Sequence, residues 1–448
     1  MTETVRDHSL LGGAARFVDF GRACGADEVE ISLIDGRDFS VDVRLGEVES
    51  LVEAAARSLS VRVIKDMKTA YATTSDLAEE TVHQLIRNAV ARAGLASRDD
   101  HSGLPPPAAE EIDVSSLRLY DPDISYLETS RKIRLALETE RIALEDTRIT
   151  NSHGASFNSA EVTTVLANSH GFLGSYKQTF CSLGVGLQAG GTDDKVEDDW
   201  TSVVRHFRDL ETPESVAKKA VERTVRQLHP RKIKTQRVPV IFEPGMTNWI
   251  LGFLCACVSG VAVYRKATFL AERLGTRVGA ANITVIDDGL MPGKLGSRPF
   301  DSEGVPCRKT VVIENGILRH FLCGSYSGRK LKHPSTGNSE GTGVSPNNFY
   351  LSPGAATPPE IIASTEKGLL LTRTIGHGLN PVTGDFSRGA FGLWVEKGEI
   401  AYPVSEVTIS GNLEQLLNQL EVVGNDLDFQ AAVCGPTVRV GELTVAGE

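Results

Sequence analysis

Apolar residues recur at helical spacing from 10 to 24 and stop at Gly25, which predicts an amphipathic helix closed by a C-terminal glycine. Runs of β character follow at 28–35, 39–45, 47–52 and 58–64, with a further one at 69–74. Asp35-Gly36 and Leu45-Gly46 read as hairpin turns among them. Ser75 or Asp76 then stands where a cap belongs, ahead of a helix through 93 that sets Leu77, Val82, Leu85, Ile86, Ala89 and Val90 on one face. A linker at 94–122, carrying Pro105-Pro106-Pro107, precedes the same order of elements. A helix at 125–144 leads into strands at 147–157, 161–168, 171–179 and 181–188, and Thr212 caps a helix at 213–228; the acidic stretch 193–199 reads as a solvated insertion. The pattern predicts an α+β fold whose N-terminal domain, 1–230, holds two similar α-β4-α units, about 8–97 and 123–229, related by element order alone.

Past His229-Pro230 the pattern changes to many short strands separated by Gly and Pro, which predicts a β-rich antiparallel barrel or sandwich-like C-terminal domain over 231–448. It opens with a strand at 238–242, Glu243-Pro244-Gly245 as punctuation, and a helix at 249–263 capped by Thr247 or Asn248. That helix is apolar or small nearly all round, so the pattern predicts that protein covers it on every side. Its apolar run of about 15 residues falls short of the roughly 20 needed to cross a bilayer. Further strands are expected at 283–287, 310–314 and 317–323 about an Asn315-Gly316 turn, at 368–374, at 391–396 paired with 400–403 across Lys397-Gly398, and at 437–445. Helices are expected at 358–367 and 413–420, and an irregular loop at 338–350.

Composition narrows the function classes. Apolar content of 41% and charged content of 23% are ordinary for a globular protein, while a net charge of −11 disfavours nonspecific attraction to nucleic acid or anionic membrane. Seven cysteines without a Cys-x-x-Cys pair point to a reducing compartment, and no apolar leader is apparent in the first residues, so the cytoplasm is the expected location. Cys255 and Cys257 sit two apart on the apolar helix, about 200° around its axis, and read as small core fillers.

Polar candidates lie downstream. His377, between two glycines, could act as a base, with His320 and His333 as others; each also reads as a solvated loop histidine. Asn380, Asp385, Ser387 and Arg388 form a compact set in which Arg388 could clamp a peptide carboxylate, although Asn380-Pro381 and Thr383-Gly384-Asp385 equally suit a hairpin loop. The Gly-rich run 337–343 lacks the Lys-Ser/Thr and the following helix of a phosphate loop, and no Gly-x-Ser-x-Gly elbow occurs.

Several blocks are familiar together: IDDG (286–289), FDSEGVPCRKTVVIENGIL (300–318), NPVTGDFSRGAFGLWVEKGEIAYPVSEVTISGNL (380–413), VGNDLD (423–428) and PTVRVGELTVAG (436–447). They closely resemble the TldD/PmbA family, specifically its PmbA (TldE) branch, over essentially the whole chain. The resemblance implies a cytoplasmic peptidase that degrades unfolded or short peptides and processes peptide antibiotics, in which a TldD subunit carries zinc and a PmbA/TldE subunit completes a heterodimer. TldD-type chains carry His-Glu-x-x-x-His on the apolar helix and a further cysteine ligand near the C-terminus. Here that motif falls on Gly252, Phe253 and Cys257, so two of its three functions are absent, and Cys434 lies in a shortened third-ligand region. Catalytic zinc needs about three protein ligands and a base. The expectation is a chain without metal, Gly252 and Phe253 filling space, and zinc in a TldD-like partner. The alternative is a stand-alone homodimeric amide hydrolase or tailoring enzyme of peptide or natural-product maturation using the polar loop.

Overall fold

The computed structural model describes residues 3–107, 113–191 and 195–448. The first half is one six-stranded antiparallel sheet with helices on one face. In chain order its elements are α1 (Glu3–Ala23), β1 (Glu28–Arg44), β2 (Glu47–Lys65), β3 (Lys68–Thr74), α2 (Glu79–Leu95), α3 (Thr129–Ala143), β4 (Ile149–Asn168), β5 (Leu173–Ala189), β6 (Val196–Val204) and α4 (Pro213–Val225). The sheet order is β3-β2-β1-β4-β5-β6, so β1 and β4 meet at the centre.

Each half carries three strands rather than the four expected. The supposed breaks at 35–38 and 158–160 lie inside continuous strands: Gly36 pairs with Ala56 on one side and Val162 on the other, and Ser159 pairs with Phe39 and Cys181. A strand paired on both edges satisfies its backbone hydrogen bonds without turning, and this overrides the local turn preference of Asp-Gly. The Leu45-Gly46 turn does form, with both residues at positive φ (51° and 82°). The acidic stretch also departs from expectation: residues 192–194 lie outside the described residues, and 196–199 begin β6 instead of a solvated loop.

Alternation along β1 divides the two faces. Val29, Ile31 and Leu33 pack under α1 and α2, while Phe39, Val41 and Val43 pack under α3 and α4. Glu30, Ser32 and Ile34 point the other way, toward the second half of the chain. Buried polar contacts join the halves: Arg62 Nη1 donates to Glu303 Oε1 at 2.8 Å, Arg205 donates to the carbonyls of Lys294 and Leu295, and Arg329 donates to those of His101 and Gly103.

The second half closes a five-stranded barrel from β7 (Gln236–Phe242), β8 (Lys367–Ile375), β9 (Asp385–Glu396), β10 (Glu399–Asn412) and β11 (Val438–Ala446). β7 pairs in parallel with β8 and antiparallel with β11, and β10 pairs with β11 at Ile409↔Val445, which completes the ring. Closure pairs each of these five strands on both sides, a sixth short strand, Leu420–Val423, adds to β11, and Phe242, Trp394, Ile409 and Val440 fill the core. Beside the barrel stands a five-stranded sheet, in the order Ile317–Leu318, Lys309–Glu314, Val285–Asp288, Asn348–Leu351 and Val433–Cys434. The apolar helix, α5 (Pro244–Val258), packs between the two.

α5 begins earlier than expected, with Glu243 as N-cap and Pro244 at its first position, because the fixed φ of proline suits a helix start. Arg226, at the end of α4, donates to both Glu243 carboxylate oxygens at 2.7 and 2.9 Å and so ties the two halves at this point. No helix among the described residues is long and apolar enough to cross a membrane.

Candidate functional site

One face of α5 is open. Ile250, Leu251, Phe253, Leu254, Cys257 and Val258 are buried, whereas Gly245, Gly252 and Ala256 are exposed; spacings of seven and four residues place the exposed three on a single stripe. A Cβ built on Gly252 meets nothing within 4 Å. This corrects the expectation that protein covers the helix on every side with Gly252 filling space. Apolar composition obliges a helix to bury most of its surface, but a glycine and an alanine have little side chain to hide.

The three positions expected to form a degenerate metal site, Gly252 and Cys257 for its ligands and Phe253 for its base, do not face one way. Gly252 faces outward, while Phe253 (4% exposed) and Cys257 belong to the core shared by the barrel and the sheet beside it. Burial pushes the Cys257 thiol up to about 11, away from the thiolate that binds metal. Cys434 is also buried and donates to the Ala431 carbonyl at 3.0 Å, and burial likewise raises its thiol to about 11. Its stretch packs against α5, where the Gly435 amide donates to Asn248 Oδ1 at 2.7 Å. Among the described residues no group of three or more His, Cys, Asp or Glu could hold a metal ion, so the donor set does not fit zinc.

The packing of Gly435 is tight enough to test. A Cβ there would lie 2.3 Å from Thr247 Cγ2 and 2.9 Å from Leu251 Cδ1. Gly435→Ala is expected to cost about 1–3 kcal/mol through overpacking, read as a lower urea midpoint with unchanged slope. A variant as stable as the parent would show that this stretch is not pressed onto α5.

The polar loop divides into turn residues and one residue that reaches the helix. Asn380 Oδ1 accepts from the Val382 and Thr383 amides, the Asn380 amide donates to the Asp385 carbonyl, and the Ser387 amide donates to the Gly378 carbonyl. Asn380, Asp385 and Ser387 thus shape a hairpin. Hydrogen bonds from Asn412 and Thr383 hold the exposed Asp385 carboxyl below its usual range, which is the wrong direction for a general base near neutral pH. His377 is exposed, and among the described residues no hydrogen bond joins it to Asp385. His320 Nδ1 is engaged with the Val311 carbonyl at 2.8 Å.

Arg388 behaves differently. Its guanidinium lies 5.1 Å over the Trp249 ring of α5, and that ring meets Phe386 edge-on at 5.6 Å. Arg388 Nε and Trp249 Nε1 are both buried donors without a hydrogen-bond partner. Unpaired buried donors are uncommon, and two beside an open helix face mark a place where a ligand's acceptors would be held. Of the predicted polar set, only Arg388 is brought to α5.

Comparison with known proteins follows the same divisions of the chain. Residues 29–93 match the family model of PmbA/TldA metallopeptidase domain 1, 122–228 that of the central domain, and 235–447 that of the C-terminal domain. A metalloprotease PmbA homolog from Haemophilus influenzae is 35% identical over 448 residues, covering 99% of this chain and 97% of the relative. Metalloprotease PmbA from Escherichia coli O157:H7 is 35% identical, covering 96% and 93%. Among solved structures, a Thermotoga maritima protein described as a candidate modulator of a DNA gyrase superposes with a TM-score of 0.90 at 26% identity, over 97% of this chain and 99% of that one. TldE from Thermococcus kodakarensis shares the fold, with a TM-score of 0.88 at 23% identity over 97% and 100%. Three consecutive domain matches and full-length relatives at this identity lead to one conclusion: the chain belongs to the PmbA/TldE metallopeptidase family.

Proposed function

We propose that this chain is the zinc-free subunit of a two-subunit cytoplasmic peptidase, pairing with a TldD-like chain that supplies the metal and acting on unfolded or short peptides. The observation that carries this reading is the divergence of Gly252, Phe253 and Cys257 around α5, which leaves neither a ligand set nor a base. The substrate-facing part is the open stripe of α5, where Arg388 and Trp249 offer donors to a peptide's carbonyls or carboxylate. Nucleic acid and membrane surfaces are not partners on this reading, in keeping with the net charge of −11.

The test is turnover of a disordered, fluorescently quenched peptide by the purified chain, alone and mixed with a TldD-like partner, with metal content measured in parallel. Expected are no turnover alone, turnover in the mixture, and a raised KM in the mixture when this chain carries Arg388→Ala. Turnover by the chain alone, abolished by His377→Ala or Asp385→Ala, would replace this reading with that of a stand-alone homodimeric amide hydrolase.

A further inference from the structure

A cavity of about 590 Å³ lies between the strand face that bears Glu30 and the loops of the C-terminal half, and neither α5 nor the polar loop 377–388 contributes to its lining. Its volume is that of a small-molecule site, typically about 300–1,000 Å³. The walls combine apolar side chains, among them Ile34, Val162, Leu166 and Phe300, with a charged group whose balance is uneven.

At one end, three carboxyls, Glu30, Asp301 and Glu303, surround a single guanidinium, Arg62. Arg62 Nη1 is committed to Glu303 at 2.8 Å and reaches Glu30 Oε1 only at 3.9 Å. Glu30 is 7% exposed, and its Oε2 has no hydrogen-bond partner. Asp301 spends its oxygens on the amides of Glu303, Val305 and Ser339. Elsewhere in the lining, Arg298 donates from Nε to Asn347 Oδ1 and from Nη1 to Glu340 Oε2, while Nη2 is buried and unpartnered. One cavity therefore presents an unpartnered carboxyl oxygen, two unpartnered guanidinium nitrogens, Arg62 Nε and Arg298 Nη2, and an apolar wall. Among the described residues there is no metal-capable cluster to answer the excess of carboxyls.

We infer that this cavity is a binding site for a small zwitterion, a free amino acid or a dipeptide with an apolar side chain, whose ammonium meets Glu30 and whose carboxylate meets Arg298. The ammonium brings a second cation to the carboxyl that Arg62 reaches only at 3.9 Å, and one of its N–H donors meets the free oxygen. The carboxylate completes the Arg298 fork. Burial raises the empty-site Glu30 carboxyl to about 8, with Arg62 opposing and Glu303 and Asp301 adding to the rise; Tyr71 faces the same group. An arriving ammonium favours the ionised form, so binding near pH 7 releases a proton. The inference stands on this cavity alone and holds whether or not the chain works with a zinc-bearing partner.

Titration calorimetry on the full chain at about pH 7 tests it, with phenylalanine and alanylphenylalanine as probes and their N-acetyl and C-amide forms as controls. At least one zwitterion is expected to bind one to one, with blocking of either end weakening it ten-fold or more. The heat is expected to depend on the buffer's ionisation enthalpy, as proton release requires. Glu30→Gln is expected to remove both the buffer dependence and the preference for a free ammonium, and Arg298→Met the preference for a free carboxylate, in variants whose circular dichroism matches the parent. If a variant does not fold, the blocked probes on the parent chain still decide. No binding of either zwitterion at millimolar concentration, or equal binding of the blocked forms, would overturn the inference and leave the cavity as a hydrated seam.

Discussion

Arg62→Met is expected to lower the unfolding free energy by about 3–5 kcal/mol near neutral pH and to recover part of that loss as the pH falls toward about 5. Arg62 is hydrogen-bonded to Glu303 and lies 3.9 Å from Glu30, all three side chains being nearly out of solvent, while Arg329 acts on Glu303 from farther off. Burial alone would raise the Glu303 carboxyl, but the charge of Arg62 and its hydrogen bond more than offset this and leave it below the usual range. In the parent, Glu303 therefore contributes stability above the unfolded carboxylate pKa, and that contribution is lost as the pH falls. Glu30 already acts in the opposite sense in the parent, its carboxyl being raised to about 8, and methionine moves Glu303 to the same side. With the cation gone both carboxyls sit above their unfolded values, and the folded state holds protons that the unfolded state has released. Stability is then greatest in acid and declines as the pH rises through the folded values. Urea unfolding at about pH 5 and pH 8 reads the change directly. A loss under about 1 kcal/mol with no change of slope against pH would mean that water already reaches the pair and screens it.

The second large effect separates two neighbouring positions on α5. Phe253→Glu is expected to cost about 3–5 kcal/mol, because a carboxyl replaces a buried ring among Leu254, Val258 and the barrel core. Gly252→His is expected to stay within about 1 kcal/mol of the parent, since its Cβ enters open space and glycine is a poor helix former. Restoring all three motif residues, with Cys257→His as well, should therefore fail through positions 253 and 257 alone. Millimolar zinc should not rescue it, since the side chains do not converge. Melting curves of the single and triple variants, with and without zinc, decide. A triple variant that melts near the parent and gains stability from zinc would show that the helix rotates to bring them together.

Local signals were legible wherever one short stretch settles its own geometry. Asn315-Gly316 and Lys397-Gly398 take the paired positive φ of tight hairpin turns, and Thr212 caps its helix. Asp35-Gly36 carries the same kind of signal and does not turn, because the neighbouring strands that hold it straight come from 55–57 and 161–163. Arg388 could be chosen from its sequence neighbours, and so could the rest of the polar loop; what separates it from Asp385 is the ring of Trp249, which approaches from another element. The group around Glu30 gave no signal at all. A glutamate alternating with Val29 and Ile31 reads as the solvated face of a half-buried strand, and Glu303, which completes the group through Arg62, stands 241 residues from that arginine.

Closure of the barrel also orders events in time. β7 is the first barrel strand to be made and β11 the last, yet they are hydrogen-bonded neighbours, separated by roughly 200 residues of chain; pairings of such long range are slow to form. The six-stranded sheet, whose strands mostly join neighbours in sequence, has all its strands made before β7. From then until β11 emerges, β7 carries an edge that its final neighbour has not yet reached, and β10 adds a second such edge once residues 399–412 have been made. That interval, rather than the finished molecule, is when mispairing has its opportunity, and its length is set by the rate of translation across the second half of the message.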